Sequence, residues 1–207
     1  MTDNLLKNLE TQLMTDEERT AYHDKIKGES YMRWLAFYYL GRREHSKSEL
    51  RQKLLEKQCD VDAIEHLLIE FEREGYQSDE RMTSALIKDG IGKKHGKIRI
   101  YQTLKKHGLT TILSVNGVNE WIDNHAEFFS DLIINATAEE QEEVNENYEV
   151  DWLAQAVQAR VKKFGDGIPC DQKEKARQLR FLQYRGFEMG VCFDALKYDL
   201  AKLNDRY

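Results

Sequence analysis

Ser46 follows Glu44 and His45, the three residue types of a nucleophile, its base and an orienting acid. Consecutive residues at a helix cap cannot adopt the geometry in which a base takes a proton from a nucleophile. Ser46 also has another use: with Glu49 three positions on, it forms a capping box that opens a helix. The six histidines, His23, His45, His66, His95, His107 and His125, show no HExxH spacing and no pairing with cysteines, so a zinc site is not expected. Cys59, Cys170 and Cys192 are odd in number, far apart and without CxxC, which points to reduced thiols. Gly92, Lys93, Gly96 and Lys97 bring glycines and lysines together, but no Gly-Lys-Ser or Gly-Lys-Thr completes a phosphate loop. The expectation is a protein with no catalytic residues, no metal and no cofactor.

The chemistry that remains is charge. Arg42, Arg43, Lys47, Arg51 and Lys53 form one cluster. Lys93, Lys94, Lys97 and Arg99 form a second, with no acid between Lys93 and Lys106. Lys162, Lys163, Lys173, Lys175, Arg177, Arg180 and Arg185 form a third. Net charge is −6, yet 11 acidic residues and no Lys or Arg lie between Lys106 and Arg160, so the rest of the chain is basic on balance. An anionic partner is therefore compatible with the acidic total. Basic runs on helices are solvated faces more often than contacts, so the clustering, rather than any one residue, makes these candidate partner-binding positions.

The clusters fall at recurring helix junctions. Ser46 and Gly96 are 50 residues apart, and Lys162-Lys163-Phe164-Gly165 echoes Lys93-Lys94-His95-Gly96. A repeated unit of three short amphipathic helices accounts for this. Residues 1–29 read as a lead-in with one helix opening at Asp16 and interrupted at Gly28. Residues 30–76 read as repeat 1, with Tyr31, Trp34, Leu35, Tyr38 and Tyr39 as its inward face. Residues 77–150 read as repeat 2, and 151–207 as repeat 3, closed by one last helix holding Val191, Ala195, Leu196 and Leu200. Gly96 to Gly165 spans 69 residues, so repeat 2 is read as carrying an insertion after Asn116 that includes an acidic segment over Ala138 to Glu149. That segment is a solvated loop or, alternatively, a phosphate mimic. Trp34, Trp121 and Trp152 lie at helical spacing beside apolar residues and are expected in the core rather than as stacking platforms for bases. His45 and His95 recur before the second helix and are expected to pack there.

Charged residues make up 33% of the 207 and proline occurs once, which favours an all-α chain over a sandwich of strands and turns. No apolar run approaches the ~20 residues of a membrane helix, and residues 1–14 do not read as a secretion signal, so a cytoplasmic location is expected. Three modules in line would reach on the order of 60 Å, long enough to lie along a polymer.

Several strings go beyond periodicity. Leu40-Gly41-Arg42-Arg43-Glu44-His45-Ser46 with Glu49-Leu50 and Lys53-Leu54 is the first, and Gly75-Tyr76-Gln77-Ser78-Asp79-Glu80-Arg81 the second. Asp151-Trp152, Lys163-Phe164-Gly165 and Arg180-Phe181-Leu182-Gln183-Tyr184-Arg185-Gly186-Phe187 follow. Together, from about Ser30 to Asp199, they resemble the RecX family of bacterial regulators of RecA recombinase. The resemblance implies an elongated, curved array of three three-helix repeats without catalytic activity. It also implies binding in the groove of the RecA filament on single-stranded DNA, blocking filament growth and lowering ATPase, strand exchange and coprotease function. A monomer with at most weak direct DNA contact is expected. The sequence departs from the family pattern at Lys94-His95-Gly96, where Gly-Tyr-Gly is usual, at Met82, and in the acidic insertion. A second reading is a helical-repeat protein that binds nucleic acid directly.

Overall fold

The computed structural model describes residues 14–133 and 150–206, with side chains described except at 130–133. The described residues are helical, with no strand. The acidic segment of residues 138–149 and residues 1–13 of the lead-in lie outside them. The helices divide into two compact units, residues 1–78 and 79–207.

Unit 1 is built from α1 (Asp16–Leu40), α2 (Lys47–Leu55) and α3 (Val61–Arg73). Thr15 and Ser46 each close a full capping box, with Glu18 and Glu49, and Asp60 accepts the Ala63 amide at the start of α3. Met32, Leu35 and Ala36 of α1 meet Leu50 and Leu54 of α2 and Ile64, Leu67, Leu68 and Phe71 of α3 in one buried cluster. Arg33 clamps Glu70 with two hydrogen bonds, tying α1 to α3. After α3 the chain turns at Gly75, whose φ of +75° suits a residue without a Cβ. The buried Gln77 then donates its amide to the His45 carbonyl, which holds the end of the unit against the start of α2.

Two expectations fail in α1. Gly28 does not interrupt it; the helix runs unbroken for 25 residues. A single glycine costs only about 1 kcal/mol in a helix interior, less than good helix formers on both sides recover. Nor do Tyr31, Trp34 and Tyr38 face the core: they are 51%, 58% and 44% exposed. Met32, Leu35, Ala36 and Tyr39 provide a rival stripe at the same helical spacing, one position over, and that stripe packs inward.

Unit 2 holds α4 (Asp79–Gly92), α5 (Lys97–Lys106), α6 (Gly117–Asn124), α7 (Ala126–Ile133), α8 (Trp152–Phe164), α9 (Gln172–Tyr184), α10 (Met189–Ala195) and α11 (Leu200–Asn204). One core runs through all of it, from Met82, Ile87 and Ile91 through Ile100, Leu104, Val118 and Ile122 to Trp152, Val157, Leu182, Cys192 and Leu203. The region expected to begin an insertion is part of this core: Val118, Ile122 and Phe129 are buried. Trp121 donates its indole N–H to Ser84, and Trp152 donates to Asn119. The last helix expected from the sequence is two helices, because Asp199 caps a new start by accepting the Lys202 amide.

The two helix sets of unit 2 join where α5 begins and α9 ends. Gly96 N–H donates to the Arg185 carbonyl (2.9 Å) and Ile98 N–H to the Gly186 carbonyl (3.1 Å). Free amides at one helix start thus satisfy free carbonyls at another helix end, in the order that aligns their dipoles. The approach needs two glycines: a Cβ on Gly96 would overlap the Gly186 main chain, and one on Gly186 would overlap Arg99.

Candidate partner-binding surfaces

The cations expected to bind a partner do not share one environment. In unit 1, Arg43 makes a two-pronged contact with Glu49 (2.9 and 3.0 Å). Lys47 pairs with Glu72 at 2.7 Å, and Arg51 pairs with Glu65. Arg42 and Lys53 have no carboxylate partner among the described residues and lie over aromatic rings instead, Arg42 at 5.1 Å from Tyr38 and Lys53 at 4.9 Å from Tyr39. His45 is buried behind the Ser46 cap, with its Nδ1 at 2.9 Å from the Arg43 carbonyl. Burial holds its pKa below the ordinary histidine value.

In unit 2, Lys93 pairs with Asp89 at 2.7 Å and Lys97 with Glu188 at 3.4 Å. The others are arranged differently. Arg99 donates to the Tyr184 carbonyl (3.1 Å) and covers the Tyr184 ring, which is 77% exposed. Arg185 donates to the Lys93 carbonyl (2.5 Å) and stacks on Phe181. These two arginines brace the Gly96 and Gly186 crossing from both sides. Lys94 stands in a left-handed conformation, φ +58°, and is half-buried. Burial, and then the charge of neighbouring Lys162, push its ammonium pKa below the usual lysine range. His95 is pushed down by burial and by Arg99, Arg185 and Lys93. Neither Lys94, Lys162 nor Lys163 has a carboxylate within ion-pair distance among the described residues. Lys162 and Lys163 close the last turn of α8, where cations complement the helix dipole. Arg177 lies over Phe164, and Arg180 folds back onto its own helix at the Ala176 carbonyl.

The structure thus gathers Lys94, Lys162, Arg99, Arg185 and the Tyr184 ring around one junction of unit 2, while Arg43, Lys47 and Arg51 are neutralised in unit 1. Sequence reasoning missed the buried Arg160, whose guanidinium donates to the carbonyls of Gly167 (2.8 Å) and Tyr198 (2.6 Å). Nor did it separate the exposed aromatics of α1 from the core, since both stripes have the same period. Among the described residues no group of His, Cys, Asp and Glu is placed to hold a metal, and no helix is long and apolar enough to cross a membrane.

Residues 35–70 match the family model described as RecX, first three-helix domain, and residues 149–196 the one described as RecX, third three-helix domain. The Regulatory protein RecX of Acinetobacter baylyi is 36% identical over 165 residues, 80% of this chain and 86% of the relative. That of Halorhodospira halophila is 33% identical, covering 73% of this chain and 78% of the relative. Among solved structures, a regulatory protein RecX superposes with a TM-score of 0.59 at 14% identity, covering 88% of this chain and 80% of that one. RecX from Lactobacillus salivarius superposes at 0.58 and 12% identity, covering 83% and 96%. The structural likenesses establish a shared helical-repeat fold, and the sequence relatives establish the family. The chain belongs to the RecX family of regulatory proteins.

Proposed function

We propose that the protein is a negative modulator of RecA recombinase that acts without catalysis of its own. It docks as a monomer in the groove of the RecA filament on single-stranded DNA and hinders addition of further subunits. ATP turnover, strand exchange and coprotease activity fall as a consequence. The observation that carries the reading is the relation to regulatory proteins RecX over four-fifths of the chain. The cation cluster around Lys94 and Lys162 supports it by supplying a surface whose charge no neighbouring carboxylate cancels, suited to acidic protein or to phosphates.

The test is addition of substoichiometric protein to RecA assembled on single-stranded DNA. ATP turnover should slow in step with filament shortening; unchanged turnover with a cognate RecA refutes the reading. Replacing Lys94 and Lys162 together by Glu should weaken inhibition by about tenfold at low salt, with less effect at high salt, because the contribution is electrostatic. Equal potency would place the contact on another face.

A further inference from the structure

One flank of α1 carries a surface that the core of unit 1 does not use. Tyr31, Trp34 and Tyr38 stack on one another, with ring centroids 6.1 and 5.6 Å apart and planes within 20° and 18°. Arg42 covers Tyr38 at one end of the column. Tyr39 meets Tyr38 edge-on at 5.7 Å and carries the Lys53 ammonium. At the other end stands Gly28, one turn before Tyr31, with open space around it. Among the described residues no further ring stacks on Tyr31, which is 51% exposed.

The fold has no need of these rings, because Met32, Leu35 and Ala36 already supply the buried face of the same helix. Their chemistry also selects a partner. Aromatic and arginine side chains also anchor protein contacts, so it is the unpaired charge beside the flat rings that decides between partners. The flank through Lys27, Tyr31, Trp34, Tyr38 and Arg42 holds no Leu, Ile or Val. It offers flat π faces and two cations lacking carboxylates, the combination that holds single strands irrespective of sequence. Lys27 is paired with Asp24 at 3.9 Å and adds no net charge. Asp16, Glu17 and Glu18 open the helix and repel phosphate, so a strand is directed toward the Arg42 end.

We propose that this flank binds single-stranded nucleic acid, with bases stacking on the exposed ring of Tyr31 and the outer surface of Trp34 and Tyr38, and phosphates meeting Arg42 and Lys53. The test is equilibrium binding of a fluorescein-labelled oligothymidylate to the full chain without RecA, so its outcome is separate from that of the RecA assay. Trp34→Ala should weaken binding by about tenfold or more, and Trp34→Phe should keep most of the affinity. Arg42→Gln should lower the salt dependence by about one phosphate contact. A duplex of the same sequence should bind more weakly than the single strand. Trp34 is a surface residue, and unchanged helicity of the alanine variant confirms that folding is not the cause. Absence of binding by the parent chain, or equal binding by Trp34→Ala, overturns the proposal. Unchanged oligonucleotide affinity together with lost action on RecA would assign the column to a protein contact, and overturn it as well.

Discussion

Arg43, Lys47 and Arg51 of unit 1 each sit against a glutamate, whereas Arg99 and Arg185 of unit 2 reach main-chain carbonyls and Lys94 and Lys162 reach neither. The difference is more than bookkeeping of partners. A carboxylate cancels the cation it binds, so little field survives beyond a Debye length. A carbonyl satisfies the guanidinium's hydrogen bonds but leaves its unit charge intact. The junction of unit 2 therefore keeps a positive potential that a count of lysines and arginines would have assigned equally to both units. What unit 1 keeps instead is a pair of cations on aromatic faces, Arg42 and Lys53.

The sharpest way to break the comparison is to separate the junction itself. Gly186 has φ +84° and no room for a Cβ beside Arg99. Gly186→Val combines backbone strain with overlap, and should destabilise unit 2 by about 3 kcal/mol or more. Unit 1, with a core of its own, should stay folded. The thiols of Cys192 and Cys59 report this. Cys192 is fully buried with a thiol pKa pushed up to about 11, while Cys59 in unit 1 is half-buried. Alkylation of Cys192 should accelerate strongly in the variant while that of Cys59 does not; parallel acceleration would mean the units unfold together. Gly75→Ala in unit 1 also places a Cβ at positive φ, but into open space, and should cost only about 1 kcal/mol.

Arg160 comes next. Its guanidinium lies inside unit 2 between α8, the loop at Gly167 and the chain before α11, and burial pushes its pKa down against the opposing pull of Asp166 and Asp199. Arg160→Met keeps the volume but strips the part-buried Gly167 and Tyr198 carbonyls of their donor, at about 1 to 3 kcal/mol. Urea unfolding should show the loss in the transition of unit 2 alone. A smaller effect separates paired from unpaired surface cations. Lys47→Ala removes an exposed ion pair and should shift stability by less than about 1 kcal/mol and RecA inhibition hardly at all. Lys94→Ala should cost inhibition without cost to stability, since relieving a half-buried ammonium near Lys162 offsets the lost packing.

Much of this was legible in the sequence because it is local. Capping boxes at Thr15 and Ser46, the Asp60 and Asp151 caps, and the glycine stops at Gly75, Gly108 and Gly186 are written within four residues of where they act. The family strings gave the repeat. What failed was everything decided by a neighbour distant in sequence. Trp34 and Leu35 belong to interleaved stripes of equal period, and only the positions of α2 and α3 decide which is buried. The pairing of Arg51 with Glu65 and of Lys47 with Glu72 depends on how α3 lies across α2. The residues after Asn116 looked surplus by spacing, yet Val118 and Ile122 fill the space over α4 and α5. Gly28 shows the converse: a local stop signal that the rest of a long helix overrides.

The smallest effect concerns the two histidines that precede α2 and α5. Both have folded-state pKa values depressed below the ordinary 6.5, His45 by burial first and His95 by burial with Arg99, Arg185 and Lys93 added. A depressed pKa means that the folded state favours the neutral ring. The contribution to stability is therefore complete above about pH 6.5 and is lost as acid carries the pH down toward the folded-state pKa, because the unfolded chain takes up the proton first. Each unit should therefore lose stability from its own histidine as the pH falls below about 6.5. His45→Gln, whose amide can still donate to the Arg43 carbonyl, should flatten the acid slope of unit 1 and leave that of unit 2 unchanged. The slope of unit 2 should respond to salt, since screening weakens the three cations around His95, while that of unit 1, set mainly by burial, should not. Equal salt responses would show that the two caps sit in the same electrostatic surroundings, and that the contrast between paired and unpaired cations does not reach the groups nearest to them.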